Sequence, residues 1–138
     1  MKQAFRILTV PTKGPGLYEF TGAIQEFVRG EGIENGLLTC FVRHTSASLL
    51  IQENADPDVQ SDLRDFFAHL ATNGMHYRHT VEGPDDMPSH IRAALTQTQV
   101  SIPVARGNLM LGTWQAVYVY EHRHVAHTRK VVLHFTGE

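Results

Sequence analysis

The sequence predicts an α+β fold, a mostly antiparallel sheet system with two or three helices packed on it, in a single domain over residues 1–138. Strand-like apolar runs fill both ends of the chain, two helical periodicities occupy its middle, and turn-forming residues separate the runs at short intervals. At 138 residues such a chain is long enough to bury most of its apolar surface in one core.

The first run, "QAFRILTV", reads as a strand stopped by the turn-formers of "PTKGPG". In "TGAIQEFVRGEG" the apolar residues Ile24, Phe27 and Val28 share one stripe, which predicts a helix with Thr21 as N-cap and Gly30 or Gly32 at its end. "GLLTCFVRH" is apolar on both alternating faces, the pattern of a strand covered on each side, and "SASLLIQE" follows as a second strand after a short turn. "DPDVQSDLRDFFAHLA" carries the strongest helix signal. Asp56 precedes Pro57 at the first helical position, and Val59, Leu63, Phe66, Phe67 and Leu70 recur at 3–4 spacing. A further helix is expected from about Met87 to Thr96, capped by Asp85 or Asp86, with Ile91, Ala94 and Leu95 as its buried stripe. The last forty or so residues are strand-rich: Gly107-Asn108 signals a hairpin, and "TWQAVYVYEHR" with "TRKVVLHF" predicts a second one.

Composition excludes several classes of function. The net charge is −2 and the 12 Lys and Arg are scattered, so no basic footprint for nucleic acid or anionic membrane is present. No run approaches the roughly 18 apolar residues of a membrane span, and the first residues lack a secretory pattern. Cys40 is the single cysteine, which fits a reducing cytoplasm. Nine histidines are the unusual count, and histidine is the commonest metal ligand.

Three stretches carry ligand-capable groups. In "YRHTVEGPDDMPSHI", one capping aspartate and Pro88 satisfy a helix start. Two adjacent carboxylates, Asp85 and Asp86, with His90 four residues after Asp86 and His79 upstream, exceed that need. In "RHTSASLLIQEN", His44 closes a strand. Thr45, Ser46 and Ser48 then form either an anion-binding turn or an ordinary hydroxyl-rich turn, and Glu53, Asn54 and Asp56 stand at the mouth of the next helix. In "LGTWQAVYVYEHR", Gly112 and Thr113 permit close backbone approach beside Trp114. Alternation there separates Trp114, Ala116, Tyr118, Tyr120 and His122 from Gln115, Val117, Val119, Glu121 and Arg123. Glu121 and Arg123 are expected to pair across strands, and His122, His124 and His127 to lie in a solvated loop. Walker, GxGxxG, HExxH, CxxC and GxSxG fingerprints are all absent.

Taken in order, "HTSASLLIQENADPDV", "YRHTVEGPDDMPSHI" and "GNLMLGTWQAVYVYEHR" resemble the YjbQ-like family of small proteins, described as secondary thiamine-phosphate synthase enzymes. The resemblance runs from the first strand to the closing "FTGE"; Ala116 stands where many relatives have glycine, and His124 and His127 match nothing in the pattern. It implies a β-sandwich-like α+β fold and a homotrimer. It also implies a polar site near the subunit interface, with a divalent metal ion, zinc or magnesium, on His44, His79 and His90 with Asp86 or Glu53 nearby. A small phosphorylated ligand is then expected on Thr45, Ser46, Ser48, Asn54, Gly112, Thr113, Trp114, Gln115 and Arg123. Arg123 would supply a guanidinium fork, and Glu53, Asp85, Asp86 and Arg123 the catalytic groups. The activity implied is the joining of hydroxymethylpyrimidine pyrophosphate to thiazole phosphate, releasing pyrophosphate, as a side reaction. The alternatives are a metal-dependent enzyme acting on another small phosphorylated or carboxylated metabolite, and a non-catalytic trimeric binding protein.

Overall fold

Eight strands and three helices make up the chain, in a computed structural model that describes residues 1–138. In order they are β1 (Lys2–Thr12), β2 (Gly16–Glu19), α1 (Thr21–Gly30), β3 (Gly36–Val42), β4 (Ala47–Glu53), α2 (Pro57–Leu70), α3 (Asp86–Leu95), β5 (Gln99–Ala105), β6 (Asn108–Leu109), β7 (Gln115–Glu121) and β8 (His127–Gly137). Two antiparallel sheets form, one of five strands in the order β1-β8-β3-β5-β6 and one of three in the order β2-β7-β4.

Alternation along the strands builds the core. Leu38, Cys40 and Val42 of β3, Val131, Leu133 and Phe135 of β8, and Val100, Ile102 and Val104 of β5 face inward from the larger sheet. They meet Ala47, Leu49, Val117 and Val119 of the smaller one, and Ile24, Phe27 and Val28 of α1 complete the same cluster. Each fully buried side chain of the size of Leu or Phe contributes about 1.5–3 kcal/mol, so this cluster carries most of the favourable burial. Where β3 opens against the end of β8, a Cβ on Gly36 would lie 2.0 Å from the Thr136 carbonyl, and only glycine fits.

Four expectations are corrected by these contacts. β7 and β8 do not pair as a hairpin: β7 lies between β2 and β4, while β8 lies between β1 and β3, so the chain changes sheets at His122–Ala126. The α1 N-cap is Phe20 rather than Thr21, whose hydroxyl accepts the Val117 N–H at 2.9 Å and ties the helix to β7. The tight turn of the β5–β6 hairpin centres on Arg106-Gly107, both with positive φ (53° and 76°), one residue before the expected pair. The fourth concerns α3. Its buried residues are Asp86, Pro88 and Ser89, whereas Leu95 is 57% exposed and Ala94 is exposed. A polar helix face goes inward because it meets polar partners, described below.

The signal for α2 gave its start correctly: Asp56 caps it, accepting the Asp58 N–H at 2.9 Å, with Pro57 first in the helix. Its apolar stripe, however, stays largely open. Phe66 and Leu70 are exposed, Val59 and Leu63 are half-buried, and Phe67 meets the sheet edge-on to Tyr120 with ring centres 5.9 Å apart. No helix is long and apolar enough to cross a membrane.

Candidate metal and anion site

At the start of α3, Asp86 sits on the first turn and His90 one turn later, so both project from the same face. The loop before the helix brings in His79. Oδ2 of Asp86 lies 2.6 Å from His79 Nε2 and 3.0 Å from His90 Nε2, and the three ligand atoms fall within 4.8 Å of one another. Asp86 is 3% exposed while the two imidazoles reach solvent, which makes a cluster rooted in the protein and open on one side.

The remaining atoms of this cluster are held by a supporting layer. Arg123 donates from Nη1 to Asp86 Oδ1 at 2.7 Å, from Nε to Asp85 Oδ2 at 3.0 Å and from Nη2 to the Glu82 carbonyl at 3.0 Å. Asp85 also accepts the His124 N–H at 2.9 Å, so its carboxylate bridges to the chain after β7 rather than capping its own helix. His90 Nδ1 lies 2.8 Å from the Thr45 carbonyl, and Ser89 Oγ donates to the His122 carbonyl at 2.9 Å. Burial pushes the Asp86 carboxyl upward, but the His79 hydrogen bond, the charge of His90 and the Arg123 guanidinium outweigh it and hold the group below the usual carboxylate range.

His90 has a particular geometry. A neutral imidazole has one N–H and one lone pair, yet here both ring nitrogens face acceptors, the Thr45 carbonyl and the Asp86 carboxylate. A divalent cation placed where Nε2 and Oδ2 converge would take the Nε2 lone pair and leave the Nδ1–H for the Thr45 carbonyl. Histidines that ligate metals commonly donate their other nitrogen to a backbone carbonyl, as His90 does to Thr45. Two imidazoles and a carboxylate with an open side are a donor set suited to a first-row divalent ion, and they match zinc better than magnesium, which favours all-oxygen sites.

The structure divides the other candidate residues into groups. His44 is separate from the cluster: its Nε2 accepts the Lys130 N–H at 2.8 Å, and burial, reinforced by Arg129, lowers its pKa. It lines, with Thr45 and His90, an open cleft of about 490 Å3 whose floor is Phe41, Val42, Ala47, Ala93 and Ala94. The hydroxyls of the preceding turn face inward. Ser46 Oγ accepts from Arg129 at 3.0 Å, and Ser48 Oγ bonds His122 Nε2 at 2.9 Å. Glu53, Asn54, Gly112, Thr113, Trp114 and Gln115 lie at the opposite end of the β4–β7 ladder. Glu53 pairs with Gln115 there, whereas Ala47 pairs with Glu121 at the site end, six residues or roughly 20 Å away. Trp114 is 61% exposed, and Gln115 Oε1 accepts the Gly112 N–H in a local turn. Strand geometry separates these residues from the cluster within one chain.

Arg123 does not pair with Glu121, because three acceptors already surround its guanidinium. The partner of Glu121 is Arg129, on β8 of the other sheet. Arg129 Nε donates to Oε1 at 2.7 Å and Nη2 to Oε2 at 2.5 Å, with both residues almost wholly buried. Thr12 and two backbone N–H groups supply the other bonds, and together with Arg129 they hold the Glu121 carboxyl low against the lift from burial. His122 is likewise buried rather than solvated, and burial first, then Arg92, drives its pKa to about 3. A sequence pattern could not show these pairs, since Glu121 and Arg129 read only as strand residues of opposite charge.

Comparison with known proteins follows the same lines. A family model described as "UPF0047 protein YjbQ-like" matches residues 6–138. The UPF0047 protein sll1880 of Synechocystis is 54% identical over 138 residues, covering 99% of this chain and 94% of the relative. The UPF0047 protein YjbQ of Salmonella typhimurium is 38% identical over 134 residues, covering 96% of this chain and 97% of the relative. A solved YjbQ/UPF0047 family protein from Clostridium acetobutylicum superposes with a TM-score of 0.85 at 32% identity, covering 92% of this chain and 97% of that one. A conserved hypothetical protein from Thermus thermophilus gives 0.82 at 32% identity with the same coverage. The chain belongs to the YjbQ-like UPF0047 family.

Proposed function

We propose that this protein binds a first-row divalent ion on His79, Asp86 and His90 and takes a small phosphorylated or carboxylated ligand in the adjoining cleft. The observation that carries the reading is the convergence of two imidazole Nε2 atoms and one carboxylate oxygen, with His90 supported from behind by the Thr45 carbonyl. When bound, the ion would supply Lewis-acid charge against an anionic group of the ligand. The chain's own residues orient its ligands: Arg123 fixes Asp86 through Oδ1, and Thr45 fixes the ring of His90. In this reading Arg123 is a positioning residue rather than a phosphate fork, because each of its three nitrogens already donates to an oxygen of the chain, two of them on carboxylates. Phe41, Val42 and Ala47 give the cleft an apolar wall for the body of a ligand, beside the polar edge formed by His44 and Thr45.

Thiamine-phosphate formation is placed within this reading as a side activity. It needs a charged partner for the departing pyrophosphate and a wall for the pyrimidine, and little nucleophilic help from protein. Self-association as a homotrimer is proposed as well. It is supported by the outer face of the larger sheet, where Phe5, Ile7, Leu37 and Phe41 are all exposed.

Elemental analysis of protein purified without a histidine tag tests the metal assignment. About one divalent ion per chain is expected, falling in His90→Ala while sedimentation shows the oligomer unchanged. Loss of the oligomer with unchanged metal content would instead make the cluster a structural feature. Thiamine-phosphate formation that persists undiminished after metal is stripped would remove that activity from this site.

A further inference from the structure

A second cleft lies on the other side of α3. Arg92 follows His90 by two residues, about 200° around the helix, so its guanidinium points away from the metal cluster. The cleft holds about 270 Å3 and is smaller and more enclosed than the first. Pro15 and the start of β2, Gln60, Arg64 and Phe67 of α2, Arg92 of α3, Tyr120 of β7 and His122 just after it line the cleft.

Its polar lining is cationic and incompletely paired. Arg92 donates from Nη2 to the Ala71 carbonyl at 2.7 Å, but its buried Nε has no partner, and it is the sole buried side-chain polar atom of the protein in that condition. An unpaired buried donor costs about 1–3 kcal/mol, so native structures rarely keep one without a reason. Arg64 lines the same space, with only a 3.9 Å approach to its neighbour Asp65, both well exposed. Glu121 also lines the cleft, but its charge is matched by Arg129. Burial lifts the Tyr120 phenol, and the charges of Arg92 and Arg64, which line the same cleft, act against that lift. The rings of Tyr120 and Phe67 form the apolar side.

We propose that this cleft is an anion site that holds the phosphate or carboxylate of a small aromatic ligand between Arg64 and Arg92, with the ring of the ligand against Tyr120 and Phe67. An oxyanion there would meet the guanidiniums of Arg64 and Arg92, the two cations that line the cleft without a carboxylate partner within hydrogen-bond distance. The guanidinium fork suits two oxygens of one group, and the volume suits a single ring bearing one anionic substituent. The site is independent of the metal cluster and does not rest on the proposed function above.

The test is calorimetric titration of the full chain, in metal-free buffer at constant ionic strength, with phenyl phosphate and with inorganic phosphate. Saturable binding of phenyl phosphate is expected, several-fold tighter than inorganic phosphate. Arg64→Gln, at an exposed position that leaves folding intact, is expected to weaken it about tenfold, the loss of one charge-assisted bond. Arg92→Gln is expected to abolish it, with far-UV circular dichroism confirming the fold. Absence of saturable binding to the wild-type chain, or unchanged affinity in Arg64→Gln, would overturn the site. So would binding that occurs only after zinc is added, since the anion would then sit on the metal. Equal affinity for the two probes would overturn the aromatic wall.

Discussion

Arg123 takes one oxygen of Asp86, with Nη1 to Oδ1 at 2.7 Å, and leaves the other oxygen facing two imidazoles. The same guanidinium binds Asp85, so one cation after β7 organises both carboxylates at the start of α3. Removing it leaves two largely buried carboxylates without their counter-charge. Arg123→Ala is expected to lower stability by about 3 kcal/mol or more, the range for breaking a buried pair, in urea unfolding followed by circular dichroism. A change within 0.5 kcal/mol would show that the pair is solvated.

Glu121 and Arg129 form a second buried pair, on the core side of the same strand end. Arg129→Met is expected to cost about 3–5 kcal/mol, because Glu121 would remain charged and buried. Adding Glu121→Gln removes that charge while its one amide oxygen keeps an acceptor for the His122 and Arg123 N–H groups, and its NH2 faces the Thr12 hydroxyl, which can accept. The double variant should therefore recover at least about 1 kcal/mol, a non-additivity that a double-mutant cycle reads directly.

His122 gives stability a pH dependence of known sign. The unfolded chain protonates this imidazole near pH 6.5, and the folded chain, where burial keeps it neutral, does so only near pH 3. Between those values the unfolded state binds more protons, so stability falls as pH drops, by up to several kcal/mol at about 1.4 kcal/mol per unit. His122→Gln is expected to flatten the profile between pH 6 and about pH 4. Asp85, Asp86 and Glu121, all held low in the fold, add their own loss as pH falls through the ordinary carboxyl range, from about pH 5 downward. Stability of the variant that still falls as steeply over pH 6 to 4 would assign the dependence to another group.

Much of the fold was legible because it is written locally. Alternation marked β3, β4, β5, β7 and β8, and Asp56-Pro57 marked the start of α2. The Asp86–His90 spacing put two ligand atoms on one helical turn, and His79, named from the same motif, lies beside them, whereas His44 does not join the group. What was not legible depends on partners distant in sequence. Arg123 read as a partner for Glu121 or for a phosphate until α3 supplied its carboxylates, 37 and 38 residues upstream. His122 looked like part of a wet loop until Ser48, 74 residues away, covered it. The α3 stripe misled because its polar face had a polar counterpart, so burial followed hydrogen-bond satisfaction rather than hydropathy. Glu53 and Trp114 belonged to the same motifs as the site residues, yet strand length carries them to the far end of the sheet.

Zinc titration of the tag-free, metal-stripped protein at pH 7.5, compared with Asp86→Asn, bears on the cluster itself. One ion per chain is expected to bind the wild type saturably. In the variant, which keeps the shape but loses the charge that His79 and His90 share, affinity should drop by more than the 10–100-fold typical of losing a supporting partner. No saturable binding to the wild type, or equal affinity in the two proteins, would contradict a metal held by His79, Asp86 and His90.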